Sequence, residues 1–173
     1  MFKQHLRRKL KRSVCAILLA AFLPHAHVHA AESGSAGSDF RLPTLGGDGE
    51  LTLQDLRGKV VYLDFWASWC GPCRKSLPLY ESLYQEIGSQ QFAIVAINLD
   101  ETREDAVRFL KQHPVSYTIL LDPAGSTAAD WQIRVMPTSF LLDRSGMIVR
   151  EYAGFEPAHI EDIHHDIDTL LDQ

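Results

Sequence analysis

Val60-Val61-Tyr62-Leu63-Asp64-Phe65-Trp66-Ala67-Ser68-Trp69-Cys70-Gly71-Pro72-Cys73 is the stretch around which this 173-residue chain is organised. The run from Val60 to Trp66 is apolar apart from one acid, which predicts a strand buried on both faces. After a short break the cysteine pair opens a helix, where thiols at i and i+3 lie close enough to close a small disulfide ring. Pro72 suits the first helical turn, because its missing N–H has no partner to lose there. The free amides and positive dipole end of that turn stabilise a thiolate on Cys70. Such a thiolate both attacks and leaves readily, as disulfide exchange requires. The competing reading of Cys-x-x-Cys is half of a zinc site. A four-ligand site needs a second pair. Past the N-terminal segment the chain has only the scattered His113, His159, His164 and His165, none beside a cysteine.

Trp69-Cys70-Gly71-Pro72-Cys73 resembles the active site of thioredoxin, which sits at the same strand-to-helix junction. Three further features match. Asp64 precedes Cys70 where thioredoxin has its buried acid, Pro78 follows Cys73 at the proline that kinks the active-site helix, and Met136-Pro137-Thr138 falls at the cis-proline loop.

The composition, 46% apolar and 23% charged, is that of an ordinary globular chain long enough for one domain with a core. Residues 1–30 read differently. Lys3, Arg7, Arg8, Lys9, Lys11 and Arg12 form a basic region, Val14 to Leu23 an apolar one, and Val28-His29-Ala30 supplies small residues ahead of a cut after Ala30. The expectation is an export signal peptide, or failing cleavage a membrane anchor, although ten apolar residues are few for a span. The remainder holds 11 Lys and Arg against 22 Asp and Glu, a net charge of −11. An acidic domain of this kind is a poor nucleic-acid binder. Cys15 leaves with the signal, so Cys70 and Cys73 are the only thiols of the exported chain, and a single vicinal pair points to redox work.

Residues 31–38, small and Gly/Ser-rich, read as a flexible leader, and 39–173 as the domain. A short extended piece, a glycine turn and a second short strand precede Val60. A helix runs from Cys73 to about Ile87 and stops at Gly88, followed by a buried strand over Phe92 to Ile97. A helix capped by Thr102 and Asp105, a strand over Tyr117 to Leu121 and a short helix over Ala124 to Gln132 come next. Thr138 to Leu142 and Met147 to Tyr152 form a hairpin, and Pro157 opens a last helix with Ile160, Ile163, Ile167 and Leu170 inward. The order β-α-β, α-β-α, β-β-α resembles the exported thioredoxin-like proteins of the TlpA/ResA group. The fold class expected is therefore α/β: a thioredoxin fold with a central mixed sheet flanked by helices, an N-terminal β extension and a central α-β insertion.

The residues themselves assign the chemistry. Cys70, exposed at the helix start, is the attacking nucleophile, and Cys73, less exposed, resolves the mixed disulfide. Asp64, beneath them, accepts the proton that Cys73 must lose; the alternative is a purely structural acid. By resemblance, cis-Pro137 packs beside the disulfide and the Met136 backbone pairs with an extended client. Trp69, Gly71, Pro72 and Thr138 complete the client-binding surface. Trp66 and Trp69 either shield the dithiol or contact the partner, with core packing as the alternative for Trp66.

Two departures from the ResA pattern are informative. Ser76 stands where ResA-like reductases usually have glutamate, and Asp64 where they often have a non-acidic residue, so the site is closer to thioredoxin's. Peroxiredoxin chemistry fails on spacing: it needs Pro and Thr/Ser seven and three residues ahead of the reactive cysteine. Those positions hold Leu63 and Ala67 for Cys70, and Trp66 and Cys70 for Cys73. The resulting expectation is an exported, periplasmic thiol–disulfide oxidoreductase running as a reductase. It uses no cofactor beyond its own redox-active disulfide and no metal, and acts as a monomer. Its partners are cysteine-containing client proteins and a membrane thiol-reducing electron donor. A dithiol oxidase of the same fold, and a non-enzymatic metal carrier using the cysteine pair, are the rivals.

Overall fold

The structure is a computed structural model that describes residues 34–173 apart from 48 and 89. The segment read as an export signal lies outside the described residues. Two three-residue strands, β1 (Arg41–Pro43) and β2 (Glu50–Thr52), pair antiparallel and lead through a 3-10 turn over Gln54–Leu56 into β3 (Val60–Trp66). There follow α1 (Cys73–Ile87), β4 (Phe92–Asn98), α2 (Arg103–Leu110), β5 (Thr118–Leu121), α3 (Ser126–Asp130), β6 (Thr138–Leu142), β7 (Ile148–Ala153) and α4 (His159–Leu171). Apart from the hairpin β1–β2, the strands form one sheet in the order β5-β4-β3-β6-β7. Strand β3 is its centre, parallel to β4 and antiparallel to β6. This is the thioredoxin-type α/β arrangement with an inserted α2–β5–α3.

Every residue of β3 is buried, because the sheet carries a core on each face. Val60, Tyr62 and Trp66 pack with Cys73, Leu77, Tyr80 and Leu83 of α1 and with Ile163, Ile167 and Leu170 of α4. Val61, Leu63 and Phe65 pack on the opposite face with Phe140, Leu142, Trp131 and the hairpin residue Leu42. Alternate residues of the strand therefore serve different cores, which is why its sequence is a run and not an alternation.

Helix α1 ends as expected at Gly88, whose φ of 54° is left-handed and whose N–H reaches the Tyr84 carbonyl. Helix α2 starts behind Thr102, whose side chain accepts from the Asp105 N–H. The last helix begins at His159, two residues later than expected, because Pro157 sits in a turn closed from the His159 N–H to Glu156. Of the expected leader, 31–38, residues 34–38 are described. The Gly34 and Gly37 N–H groups donate to Ile148 and Gly146, and Ile148 donates back to Ser35, so this segment runs along the start of β7. Small side chains permit the approach: a Cβ on Gly37 would lie 2.7 Å from the Trp131 ring.

Candidate active site

Strand β3 delivers the chain to the middle of one sheet end, and Ala67-Ser68-Trp69 carry it to the cysteine pair. Asp100 holds that connection in place. Its carboxylate accepts from the Ser68 N–H at 3.1 Å, from the Ser68 hydroxyl at 2.8 Å and from the Asn98 side-chain amide at 2.8 Å. The parallel register sets Trp66 beside Asn98, so Ser68 and Asp100 leave the sheet side by side. Asp100→Ala is expected to cost about 1–3 kcal/mol, since it strands the buried Asn98 amide and the part-buried Ser68 N–H and hydroxyl. Urea unfolding of the oxidised protein measures this, with Asp100→Asn recovering part of the loss.

Cys70 and Cys73 are joined by a disulfide, with their Cα atoms 5.3 Å apart. The Cys73 N–H, at the first turn of α1, points at Cys70 Sγ from 3.3 Å, which is the donor a Cys70 thiolate needs. Cys73 is completely buried. Cys70 is only 5% exposed, a correction to the expectation of an open nucleophile: tied to Cys73 and packed into the α1 core cluster, it presents little more than an edge to solvent. The order of the two still holds, since Cys70 is the one that solvent reaches. Trp69, next in sequence to Cys70, is 69% exposed. Trp66 is fully buried in the same core cluster as the two cysteines and packs on Phe109 with ring centroids 5.2 Å apart. The two tryptophans thus divide between an open surface and the core.

Asp64 occupies the pleat between Tyr62 and Trp66, on the β3 face covered by α1. It is fully buried, and burial pushes its carboxyl up from 3.8 to about 7, against the lowering effect of a hydrogen bond from Ser139. The Ser139 hydroxyl donates to Oδ1 at 2.6 Å, while the buried Oδ2 has no partner among the described residues. A carboxyl that titrates near neutrality can both take and return a proton. Ser76, three residues after Cys73, is also buried, and its hydroxyl donates to the Cys73 carbonyl at 3.3 Å.

The Met136–Pro137 peptide is cis, in agreement with the resemblance. Thr138 pairs with Phe65, so Pro137 and Met136 arrive at the sheet end from which β3 departs for the cysteines. The Met136 backbone makes no hydrogen bond within the described chain and is free to pair with an extended segment. Exposed Gly71 and Pro72 lie on the same end, beside exposed Trp69 and Val135.

The histidines stand apart. His113 stacks on Phe109 at 4.7 Å, and His164 approaches Asp168 at 3.6 Å. No group of three or more His, Cys, Asp or Glu side chains suited to a metal occurs among the described residues.

Sequence reasoning passed over Asp100, Ser68, Asn98, Ser139 and Tyr80. Asn98 and Asp100 had a signal: polar residues closing an apolar run that, as a parallel neighbour of β3, must end beside it. Ser139 and Tyr80 had none, since one reads as a strand serine and the other as a core aromatic.

A dithiol–disulfide pair at the start of a helix, on a thioredoxin-type sheet with a buried acid beneath, defines the thioredoxin-like redox proteins. Within that class the chain belongs to the Redoxin family, whose pattern it matches over residues 32–171. It is 32% identical over 123 residues to thiol-disulfide oxidoreductase ResA of Bacillus thuringiensis subsp. konkukian (strain 97-27), spanning 71% of this chain and 70% of that one. To ResA of Bacillus subtilis (strain 168) it is 34% identical over 143 residues, spanning 81% and 78%. The crystal structure of a protein described as thiol:disulfide interchange protein DsbE, from Chlorobium tepidum, superposes with a TM-score of 0.77 at 42% identity, covering 81% of this chain and 98% of that one. The chain is a thiol–disulfide oxidoreductase of the ResA/DsbE type.

Proposed function

We propose that this oxidoreductase is an exported protein disulfide reductase, acting in the periplasm on cysteines of client proteins. The observation that carries the reading is the Cys70–Cys73 pair at the first turn of α1, with the Cys73 N–H directed at Cys70 Sγ and the acid Asp64 buried on the β3 face beneath that helix. The Cys70 thiolate attacks a client disulfide, forms a mixed disulfide and expels one client thiolate. Cys73 then gives its proton to Asp64 and attacks Cys70 Sγ, closing the Cys70–Cys73 disulfide and expelling the second client thiolate. Asp64 returns the proton to that leaving group or to water. Two electrons have passed to the client, so the disulfide must be reduced again by a thiol donor held in the membrane. Met136, Pro137 and Thr138 hold the client backbone, while Trp69, Gly71 and Pro72 face it. The protein works as a monomer with no cofactor beyond its disulfide. By family resemblance the clients are haem-attachment cysteines of apocytochromes c or copper-site cysteines.

Equilibration of the Cys70–Cys73 pair against a dithiothreitol or glutathione series tests the direction. The expected reduction potential lies near that of thioredoxin, about −270 mV. A value near about −120 mV, as for a strong oxidant, overturns the reductase reading in favour of a dithiol oxidase.

A further inference from the structure

The Asp64 carboxyl is held on one side only, by a short chain of hydroxyls. Ser139 lies directly opposite Asp64 in the β3–β6 register, so both side chains emerge on the same face. The Ser139 hydroxyl spends its single proton on Asp64 Oδ1 at 2.6 Å. The Tyr80 hydroxyl is 3.4 Å from Ser139 Oγ, and when the carboxyl is ionised and holds the Ser139 proton, Tyr80 is the donor of the pair. The order Tyr80 O–H to Ser139 O–H to Asp64 Oδ1 runs one way, with its acceptor end on the carboxyl. All three residues are buried, and Oδ2 is left without a partner.

Resting on the reading of Asp64 as the proton acceptor, we propose that Ser139 is a positioning residue for disulfide exchange. Its hydroxyl, backed by Tyr80, occupies Oδ1 and leaves Oδ2 as the oxygen that exchanges protons with the dithiol. The same bond favours the ionised carboxyl, so Ser139 lowers the pH at which Cys73 resolves the mixed disulfide. The other titratable groups that face Asp64 are the phenols Tyr62 from β3, Tyr80 from α1 and Tyr117 from the segment before β5, together with the Cys73 thiol on α1 once reduced. Burial and the charge of Asp64 raise all three phenols, which stay neutral throughout the working range. From β4 the register neighbour is Ala96, which does not titrate.

The test uses the reduced full chain in single turnover with 5,5′-dithiobis(2-nitrobenzoate). Attack by Cys70 releases one thionitrobenzoate and leaves the other bound as a mixed disulfide; attack by Cys73 on Cys70 Sγ releases the second. The rate of the second release is followed from pH 5 to 9. The native protein should show a rising limb with an inflection near that of Asp64. Ser139→Ala should move the limb upward by about one pH unit, slowing the second release about tenfold below the inflection while leaving its high-pH plateau and the first release unchanged. Ser139→Thr should restore the native profile. A uniform slowing at every pH, with the inflection unmoved, overturns the proposal and leaves Ser139 a packing residue. Should Ser139→Ala fail to fold, Tyr80→Phe carries the same test: a smaller upward displacement supports the proposal and an unmoved limb overturns it. Asp64→Asn separates the two levels. If it keeps the limb, the reading of Asp64 itself fails; if it abolishes the limb and Ser139→Ala still leaves it unmoved, only the role of Ser139 fails.

Discussion

Cys73→Ser should turn the protein from a catalyst into a trap. Cys70 retains its place and the backbone donor from residue 73, so attack on a client disulfide still proceeds. Resolution does not. In the native chain the second sulfur is already in bonding position, as the observed Cys70–Cys73 disulfide shows. A well-oriented neighbour of this kind acts with an effective molarity on the order of 10⁵ M or more. Millimolar external thiols replace it poorly, and release of the client should slow by at least about a thousandfold. Non-reducing electrophoresis with mass spectrometry should find a stoichiometric client adduct on Cys70. Cys70→Ser should give neither adduct nor turnover. If Cys73→Ser turned over at the native rate, resolution by Cys73 would be excluded.

Asp64→Asn should stabilise the oxidised protein, and only at the alkaline end. In the folded chain the carboxyl keeps its proton up to about pH 7, against an ordinary value of 3.8. Between those values the folded state binds more protons than the unfolded one, so stability falls as pH rises and is lowest above 7. The interval corresponds to roughly 4 kcal/mol for a group this deeply buried. Asparagine keeps an oxygen for the Ser139 bond and places an uncharged amide where Oδ2 has no partner. Its advantage should therefore approach roughly 4 kcal/mol at pH 8 and fade towards pH 4, where both side chains are neutral. Urea unfolding at the two pH values reads it directly. An equal advantage at both, or none at pH 8, would show that the cost of burying this charge is not what distinguishes the two side chains. Activity should move the other way, because the amide cannot accept the proton of Cys73.

The elements that could be read from the chain are those whose signal is local. The run Val60 to Trp66 read as a strand buried on both faces, because no exposed face tolerates seven successive residues with one acid. Gly88 and Thr102 marked helix ends through the backbone geometry that each residue type favours. Cys70, Gly71, Pro72 and Cys73 pointed to a redox pair once the sequence offered no second ligand pair for a zinc site. Reading failed where the outcome depended on distant partners. The backbone bonds of Gly34, Ser35 and Gly37 to the start of β7 had no signal in the Gly/Ser-rich composition of 31–38. Cys70 looked open as the first residue of its motif, yet packing around the disulfide covers most of it.

What the sequence by itself determined is the chemistry and its scaffold: two thiols at a helix start, an acid within a buried strand, and an order of elements compatible with one sheet. These follow from residue type and short-range spacing, which act over a turn or a strand. Only the tertiary structure decided how the site is tuned. Asp64 meets Ser139 across 75 positions of sequence, and Ser68 meets Asp100 across 32. Those contacts exist because β3 lies between β4 and β6 in a particular register, and register is a property of the packed sheet, not of any one strand.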